Sequence, residues 1–376
     1  MRILTAGESH GKAMLVIIEE FPKGVRIEEE FINQELKKRC SGYGRGERMQ
    51  IEEDKVEIIS GLRNKITLGS PIALMVKNKD TKIFPQKKDN LEPICIPRPA
   101  HADLSGSLKY QEKDIRNILE RSSARETAAR ACAGSVCKQF LSKFNIKIAS
   151  FTVCVGRVSS EKKPRSVEEI IRKTERSKLN CLDKEKERLM IKEIDKAKKD
   201  KDTLGGIIEI WIENVPAGLG SFMHFDKRLD AKLSSYLVSI PAIKGLEIGL
   251  GFAYAKKRGS QTHDAIYYEK KRGFYHRTNN AGGIEGGIST GEPIILRVAM
   301  KPISTLMNPL DSVNLITKEK EKAPYIRSDT CAIVACGVVA ESMCAIALME
   351  VFLDKFGKDT FKEIKTNYCH YIKNLK

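Results

Sequence analysis

The stretch RPAHADLSGSLKYQEKDIRNILERSSAR, residues 98–125, decides how the rest of the chain is read. Arg98 and His101 open it in a proline-broken loop. Ile115, Ile118 and Leu119 then fall at helical spacing, and Arg121-Ser-Ser-Ala-Arg125-Glu126 follows. Ser123 with Glu126 fits a capping box that starts a helix. The small residues from Thr127 onward predict a helix that packs closely. A helix start between two arginines is an anion site, because free N–H groups, the positive dipole end and guanidinium forks point one way. An imidazole upstream adds the side chain suited to proton exchange near neutral pH. The stretch reads as a place for phosphates or carboxylates beside an acid.

Working outward, 376 residues with 41% hydrophobic and 31% charged content describe a soluble globular protein with a substantial core. The net charge of +17 calls for anionic partners without choosing among nucleic acid, membrane and small phosphorylated ligands. Ten cysteines are scattered, with no CxxC pair and no His–Cys metal spacing. With no secretory start, they predict reduced thiols, a cytoplasmic protein and no metal. The apolar run 331–349 carries Glu341 and Ser342 in its middle, which fits a buried helix better than a membrane span.

Along the chain, residues 3–6 predict a strand, followed by a Gly7-Glu-Ser9-His10-Gly11 turn and a strand or helix over 13–18. Glycines flanking Ser9 and His10 let the backbone approach a ligand while two reactive side chains project. A helix ending Lys37-Lys-Arg39 leads into Gly44-Arg45-Gly46-Glu-Arg48, a cationic loop that matches neither a Walker loop nor a dinucleotide fingerprint. Strands are predicted at 49–51, 56–59, 72–76, 148–158, 205–215 and 293–298, and a helix at 226–238. Residues 160–203 read as a charged, solvated, amphipathic helical insertion without chemistry, with Ile170, Ile171, Leu179, Leu182, Leu189, Ile191 and Ile194 at roughly helical spacing, and 355–376 as a basic, peripheral tail. The loop 282–287 is too glycine-rich for a core element. Asp329 or Ser328 is placed to cap the 331–349 helix. No internal repeat is visible.

These motifs fall, in order, on one family. Gly7-Glu-Ser-His-Gly11, Gly44-Arg-Gly46 with Arg48, Arg98-Pro-x-His-Ala-Asp-Leu104, Arg121-Ser-Ser-Ala-Arg-Glu-Thr127, Gly218-Leu-Gly220, Ala281-Gly-Gly-Ile-Glu-Gly-Gly287, Lys301-Pro302 and Arg327-Ser-Asp329 resemble chorismate synthases, over nearly the whole length. Any one is weak, but the set in register is specific. The family usually has glycine where Leu15, Glu20 and Ala100 stand, Gly and Thr near Lys65 and Leu68, and proline at Val334. The resemblance implies an α+β fold, a β-α-β sandwich with helices enclosed between two antiparallel layers, spanning the chain as one domain and assembling as a homotetramer. It implies a lyase that converts 5-enolpyruvylshikimate 3-phosphate to chorismate by anti-1,4-elimination, needing reduced FMN without net redox change.

By family position, His10 is the general acid for the departing phosphate, with Ser9 and Ser123 as relays. His101 protonates or stabilises the reduced flavin. Asp329 takes part in proton removal from C6, with flavin N5 as the immediate acceptor, because a carboxylate at a helix start is a poor base toward carbon. Arg39, Arg45, Arg48, Arg98, Arg125 and Arg327 form the substrate pocket, and Arg39 and Arg45 are also contact positions for NADPH where it is used. The flavin is held by Arg121, Ser122, Ser123, Pro241, Ala242, Gly286, Lys301, Pro302, Ile303, Ser304, Thr305 and Arg327.

The chemistry of the ligands agrees with this arginine count. Two carboxylates and two phosphates, each phosphate bringing about −1.5 to −2, need paired cations once desolvated, and the arginine fork binds them bidentately. A nucleic-acid-binding protein would also explain the charge, but aromatic content is 6% and no recognition motif appears. A flavin oxidoreductase, which would consume NADPH stoichiometrically, and a synthase that reduces its own flavin are the other readings. Absence of a dinucleotide fingerprint favours an external flavin reductase.

Overall fold

In a computed structural model, residues 1–46, 53–79, 92–271, 273–325 and 329–375 are described. Arg48, Arg327, Ser328 and the strand predicted at 49–51 lie outside these residues. The expected β-α-β sandwich is present. Strands β1 (Arg2–Ala6), β2 (Ala13–Glu19), β3 (Val56–Ser60) and β4 (Ile72–Lys77) form an antiparallel sheet in the order β1-β2-β4-β3. Strands β5 (Lys147–Val155), β6 (Val158–Ser159), β7 (Gly206–Glu213), β8 (Ile243–Ile248) and β9 (Ile294–Met300) form the other, in the order β8-β9-β7-β5-β6.

Alternation explains both layers. Met14, Val16 and Ile18 of β2 and Ile72, Leu74 and Val76 of β4 are buried, while Leu15 and Ile17 point out. On the second sheet Ile208, Ile210 and Ile212 face the interior with Ile294, Leu296 and Val298. Between the sheets lie α1 (Glu29–Cys40), α4 (Thr127–Ser142), α7 (Leu229–Val238) and α8 (Ile333–Phe356). Helix α4 packs on β2 and β4, and α8 on β5 and β7. The two helices touch at Gly134, where an added Cβ would lie 2.2 Å from Ser342 Cβ. The close-packing helix read from the small residues after Thr127 is thus real. Helix α8 is long and apolar enough to cross a membrane, but it is a buried core helix here, as its polar centre predicts. All ten cysteines are free thiols, and burial pushes Cys132 and Cys336 up to about 12.

Two peripheral readings need correction. The charged segment holds α5 (Val167–Thr174), capped by Ser166, and α6 (Lys184–Lys199), capped by Asp183. It is helical, but it is more than a solvated appendage. Val167, Ile170 and Leu182 cover Ala149 and Phe151 of β5, and Met190 and Ile194 enter the main core. The tail forms α9 (Phe361–Asn374), whose Tyr368 ring lies 4.8 Å from that of Phe144 inside an aromatic cluster with Phe352 and Phe356. The apolar face of the insertion was visible in its spacing, but the strands and core it packs on were not.

The family departures have a backbone signature. Glu20, Lys65 and Ala100 adopt φ of 59°, 65° and 61°, the left-handed region that glycine occupies most readily. Val334 sits in the first turn of α8, where proline is tolerated.

Candidate active site

The turn between β1 and β2 presents two buried reactive groups. Gly7 has φ of 106°, and a Cβ there would meet Ala13 O at 2.2 Å, so only glycine closes this turn. Asn78, beyond β4, donates to Glu8 O and Gly11 O, both at 2.9 Å, and pins the loop. Ser9 and His10 are buried. Helix α2 (Asp103–Tyr110) and helix α3 (Arg116–Ser122) approach from the other side. Glu120 of α3 accepts the His10 N–H at 2.6 Å, faces His10 Nδ1 at 2.6 Å, and its carbonyl accepts from Ser9 N at 3.0 Å.

The capping box expected at Ser123 does not form. Ser123 Oγ accepts from Arg125 N at 3.3 Å and starts a single 3-10 turn, Ala124–Glu126, before α4. The Glu126 carboxylate is drawn away to Thr5 and Arg130, both at 2.8 Å. That turn buries Arg125, whose Nη1 meets Asp54 Oδ1 at 2.6 Å and whose Nε donates to Asn78 Oδ1 at 2.8 Å. Arg39, at the end of α1, reaches the same Asp54 at 3.3 Å and donates to Thr127 Oγ1 and Ala124 O at 3.1 and 3.0 Å. It braces the turn that carries Arg125. Burial alone would raise the Asp54 carboxyl, yet the Arg125 and Arg39 charges hold it below its ordinary value.

Arg45 follows Gly44, which packs against Cys331 and Ile194. Its Nη1 donates to Arg39 O at 3.2 Å. Its Nε lies 3.1 Å from Asp329 Oδ2, but the N–H is not aimed at that oxygen, leaving a buried donor without an acceptor among the described residues. Asp329 Oδ1 accepts from Gly46 N at 2.6 Å. Asp329 is therefore not the helix cap expected from its position. Helix α8 begins at Ile333 after Ala332 with no side-chain cap, because the carboxylate is taken by the arginine loop instead.

His101 belongs to a second group. Its Nδ1 lies 2.5 Å from Asp103 Oδ1, and Arg98 binds the other oxygen through Nε at 2.8 Å. Burial works against the Asp103 carboxylate, but the hydrogen bonds from His101 and Arg98 hold it down at about 2. Arg98 also donates to Thr305 Oγ1 at 3.1 Å. Arg98, an expected substrate arginine, thereby ties the His101 turn to the 301–305 segment. Lys301 Nζ reaches Ala100 O, its N–H donates to Ala242 O at 2.9 Å, and Ile303 O accepts from Thr203 at 2.7 Å. Burial first, then the neighbouring Lys244 charge, lowers the Lys301 pKa. Arg98, Ser304, Thr305, Leu310 and Pro324 line a small pocket beside this segment.

The expected flavin positions divide. Arg121 donates to Thr5 O and Gly7 O at 2.9 and 3.3 Å, and Ser122 Oγ turns back to Ile118 O at 2.8 Å. Ala242, after Pro241, has φ of 75°. Gly286 has open space where a Cβ would stand, whereas Gly282 and Gly283 are pressed against the Gly249 and Pro293 backbone. The open backbone at Gly286 and the two lysines near Ala242 fit a phosphate-bearing ligand.

Ser9, His10, Ser123, Arg39, Arg45, Arg125 and Asp329 therefore belong to one continuous run of contacts. His101, Arg98, Lys301 and Thr305 form the second group, joined to the first where Gly106 of α2 packs on Ile118 of α3. Gly286 touches neither among the described residues. Sequence reasoning missed Glu120, Asp54, Asp103 and Asn78. Asp103 could have been found, two residues from His101 within the quoted stretch. Asp54, which lies 71 residues from Arg125, gave no such signal.

Arginines braced by one buried carboxylate and an imidazole backed by another are the groups with which an enzyme can hold a small polyanion and exchange protons with it. A sequence profile for chorismate synthase matches residues 1–353. The chorismate synthase of Thermoanaerobacter pseudethanolicus is 50% identical over 376 residues, covering 100% of this chain and 99% of that one. Chorismate synthase 2 of Bacillus cereus is 50% identical over 383 residues, covering 99% and 98%. A crystal structure of chorismate synthase superposes with a TM-score of 0.82 at 41% identity, covering 100% of this chain and 98% of its own. The chain belongs to the chorismate synthase family and is a carbon–oxygen lyase acting on phosphates.

Proposed function

We propose that the protein eliminates phosphate from C3 and a hydrogen from C6 of 5-enolpyruvylshikimate 3-phosphate, giving chorismate for aromatic amino acid biosynthesis. The carrying observation is the unbroken run that joins His10, Arg39, Arg45, Arg125 and Asp329 from distant parts of the chain. Arg45 and Arg125, with Arg48 and Arg327, hold the substrate's carboxylates and phosphate, and Arg39 and Arg98 keep the binding segments in place. His10 gives a proton to the departing phosphate, with Ser9 and Ser123 relaying, and Asp329 acts as relay, not immediate acceptor, for the proton lost from C6. Reduced FMN, when bound, lends electron density to the allylic phosphate and recovers it.

For that cofactor, Lys301, Ser304 and Thr305 suit the phosphate, with Pro241 and Ala242 held beside Lys301, and Gly286 leaves space open to the ligand. His101, oriented by Asp103, suits the charge of the reduced ring. Reducing equivalents come from an external flavin reductase, with NADPH at Arg39 and Arg45 as the alternative source. The protein works as a soluble cytoplasmic homotetramer. The outer face of the first sheet, where Leu4 pairs with Ile17 and Ala6 with Leu15, is an apolar surface that a second copy would cover.

The test is anaerobic incubation with photoreduced FMN and the substrate, following phosphate release and chorismate absorbance together. One phosphate per chorismate, without matching NADPH oxidation, supports the reading. His10→Ala should lower turnover by about 10²–10⁴-fold. Hydride consumption in step with substrate loss, and no chorismate, would overturn it.

A further inference from the structure

Glu120 is buried, 4% exposed, and among the described residues its carboxylate pairs with no lysine or arginine. A buried carboxylate is costly unless it is paired and hydrogen-bonded, and an apolar side chain would fill the same space without that penalty. Both of its oxygens instead go to one residue, Oε2 to the His10 backbone N–H and Oε1 to the ring Nδ1, each at 2.6 Å. An ionised carboxylate only accepts, so the hydrogen at that contact sits on Nδ1. The ring's other nitrogen, Nε2, is then the atom where a proton comes and goes. The backbone bond adds to this: because the carboxylate grips main chain and ring together, the imidazole cannot rotate away from it.

We propose that Glu120 is a positioning residue that fixes His10 in the Nδ1–H tautomer, so that Nε2 hands the proton to the departing phosphate. The proposal rests on the reading of His10 as the general acid. The pairing of His101 Nδ1 with Asp103 Oδ1 at 2.5 Å differs, because Asp103 also binds Arg98 and leaves the His101 backbone N–H to Arg98 O, so the grip on main chain and ring together belongs to Glu120 and His10.

The experiment labels histidine with ¹⁵N in the full-length protein, assigns His10 by its loss in His10→Ala, and reads both ring nitrogens at about pH 8, where an ordinary imidazole is neutral. Wild type should show protonated Nδ1 and bare Nε2, and Glu120→Gln a mixture of tautomers. Glu120→Gln should lower kcat by about 10²-fold with KM within about twofold, since substrate contacts are untouched. Glu120→Asp, which keeps the charge, should recover part of the loss. A bare Nδ1 in wild type, or a Glu120→Gln enzyme at full kcat beside an inactive His10→Ala, overturns the proposal and leaves the acid role of His10 standing. Full turnover in His10→Ala overturns that role and this proposal with it. If Glu120→Gln does not fold, the wild-type ring nitrogens decide alone.

Discussion

Asp54 Oδ1 lies 2.6 Å from Arg125 Nη1, with no exposed surface on the Asp54 side chain. The same carboxylate holds Arg39, so one buried negative charge spaces two guanidinium groups. Asp54→Asn would leave both cations buried without it. Breaking a buried pair in this way costs about 3–5 kcal/mol, read by urea unfolding. Substrate KM should rise by about tenfold, because Arg125 loses its orientation. A variant destabilised but with unchanged KM would make Asp54 scaffold only. The pH dependence follows from the depressed carboxyl: its contribution is present above the unfolded value near 3.8 and disappears as pH falls through the lower folded value. Asp54→Asn should lack that acid limb.

Lys138 sits between Glu35 at 2.5 Å and Glu341 at 2.6 Å, joining α1, α4 and α8 in the middle of the sandwich. Burial would raise Glu35, but the charges of Lys138 and Lys38 outweigh it and hold the carboxyl at about 2. This contribution is present above the unfolded value of 4.5 and vanishes toward about 2. Lys138→Met should destabilise by about 3–5 kcal/mol at neutral pH. The variant should then regain stability as pH falls toward about 5, where the wild-type contribution of this pair stays constant, because burial now favours protonated Glu35. Parallel unfolding curves across that range would refute the assignment.

Tyr43 Oη donates to Asp195 Oδ1 at 2.6 Å, tying the Arg45 loop to α6 of the charged insertion. Tyr43 N also donates to Lys178 O at 3.0 Å. Asp195→Ala and Tyr43→Phe should each raise substrate KM about threefold or more with kcat nearly unchanged, because the loop that presents Arg45 loses a tether. Unchanged KM in both would confine the insertion to bracing the second sheet.

The insertion also marks where sequence reading stops. Period-two alternation in 72–76 and 293–298 and the small-residue helix after Thr127 were legible because each carries its own burial pattern. The motif residues His10, Arg45 and Arg125 stood out in the sequence because glycine and serine mark the turns that carry them. Their carboxylate partners were not. Glu120 and Asp54 look like any surface acid until folding removes them from water. Asp329 and Glu126 were misread for a related reason: local capping rules assigned their carboxylates to the nearest helix start, and other partners, Gly46 N–H for Asp329 and Thr5 and Arg130 for Glu126, competed successfully for the same oxygens.

Ala100 adopts φ of 61° in the exposed turn between Arg98 and His101, where the family carries glycine. Glu20 and Lys65 share that backbone but offset it, Glu20 by pairing with the chain amine at 3.0 Å and Lys65 by pairing with Glu28 at 2.7 Å. Ala100 has only an exposed methyl group, so nothing compensates a left-handed alanine, which costs about 1–2 kcal/mol. Glycine would relieve that strain while enlarging the entropy of the unfolded chain by about 0.4–1 kcal/mol. Ala100→Gly should therefore stabilise the protein by about 0.5–1 kcal/mol in urea unfolding. The Ala100 carbonyl still accepts from Lys301 in that variant, so the turn keeps its tie to the 301–305 segment and turnover should hold. A destabilised Ala100→Gly protein would show that the turn depends on the methyl group's restriction of the unfolded chain more than on relief of backbone strain.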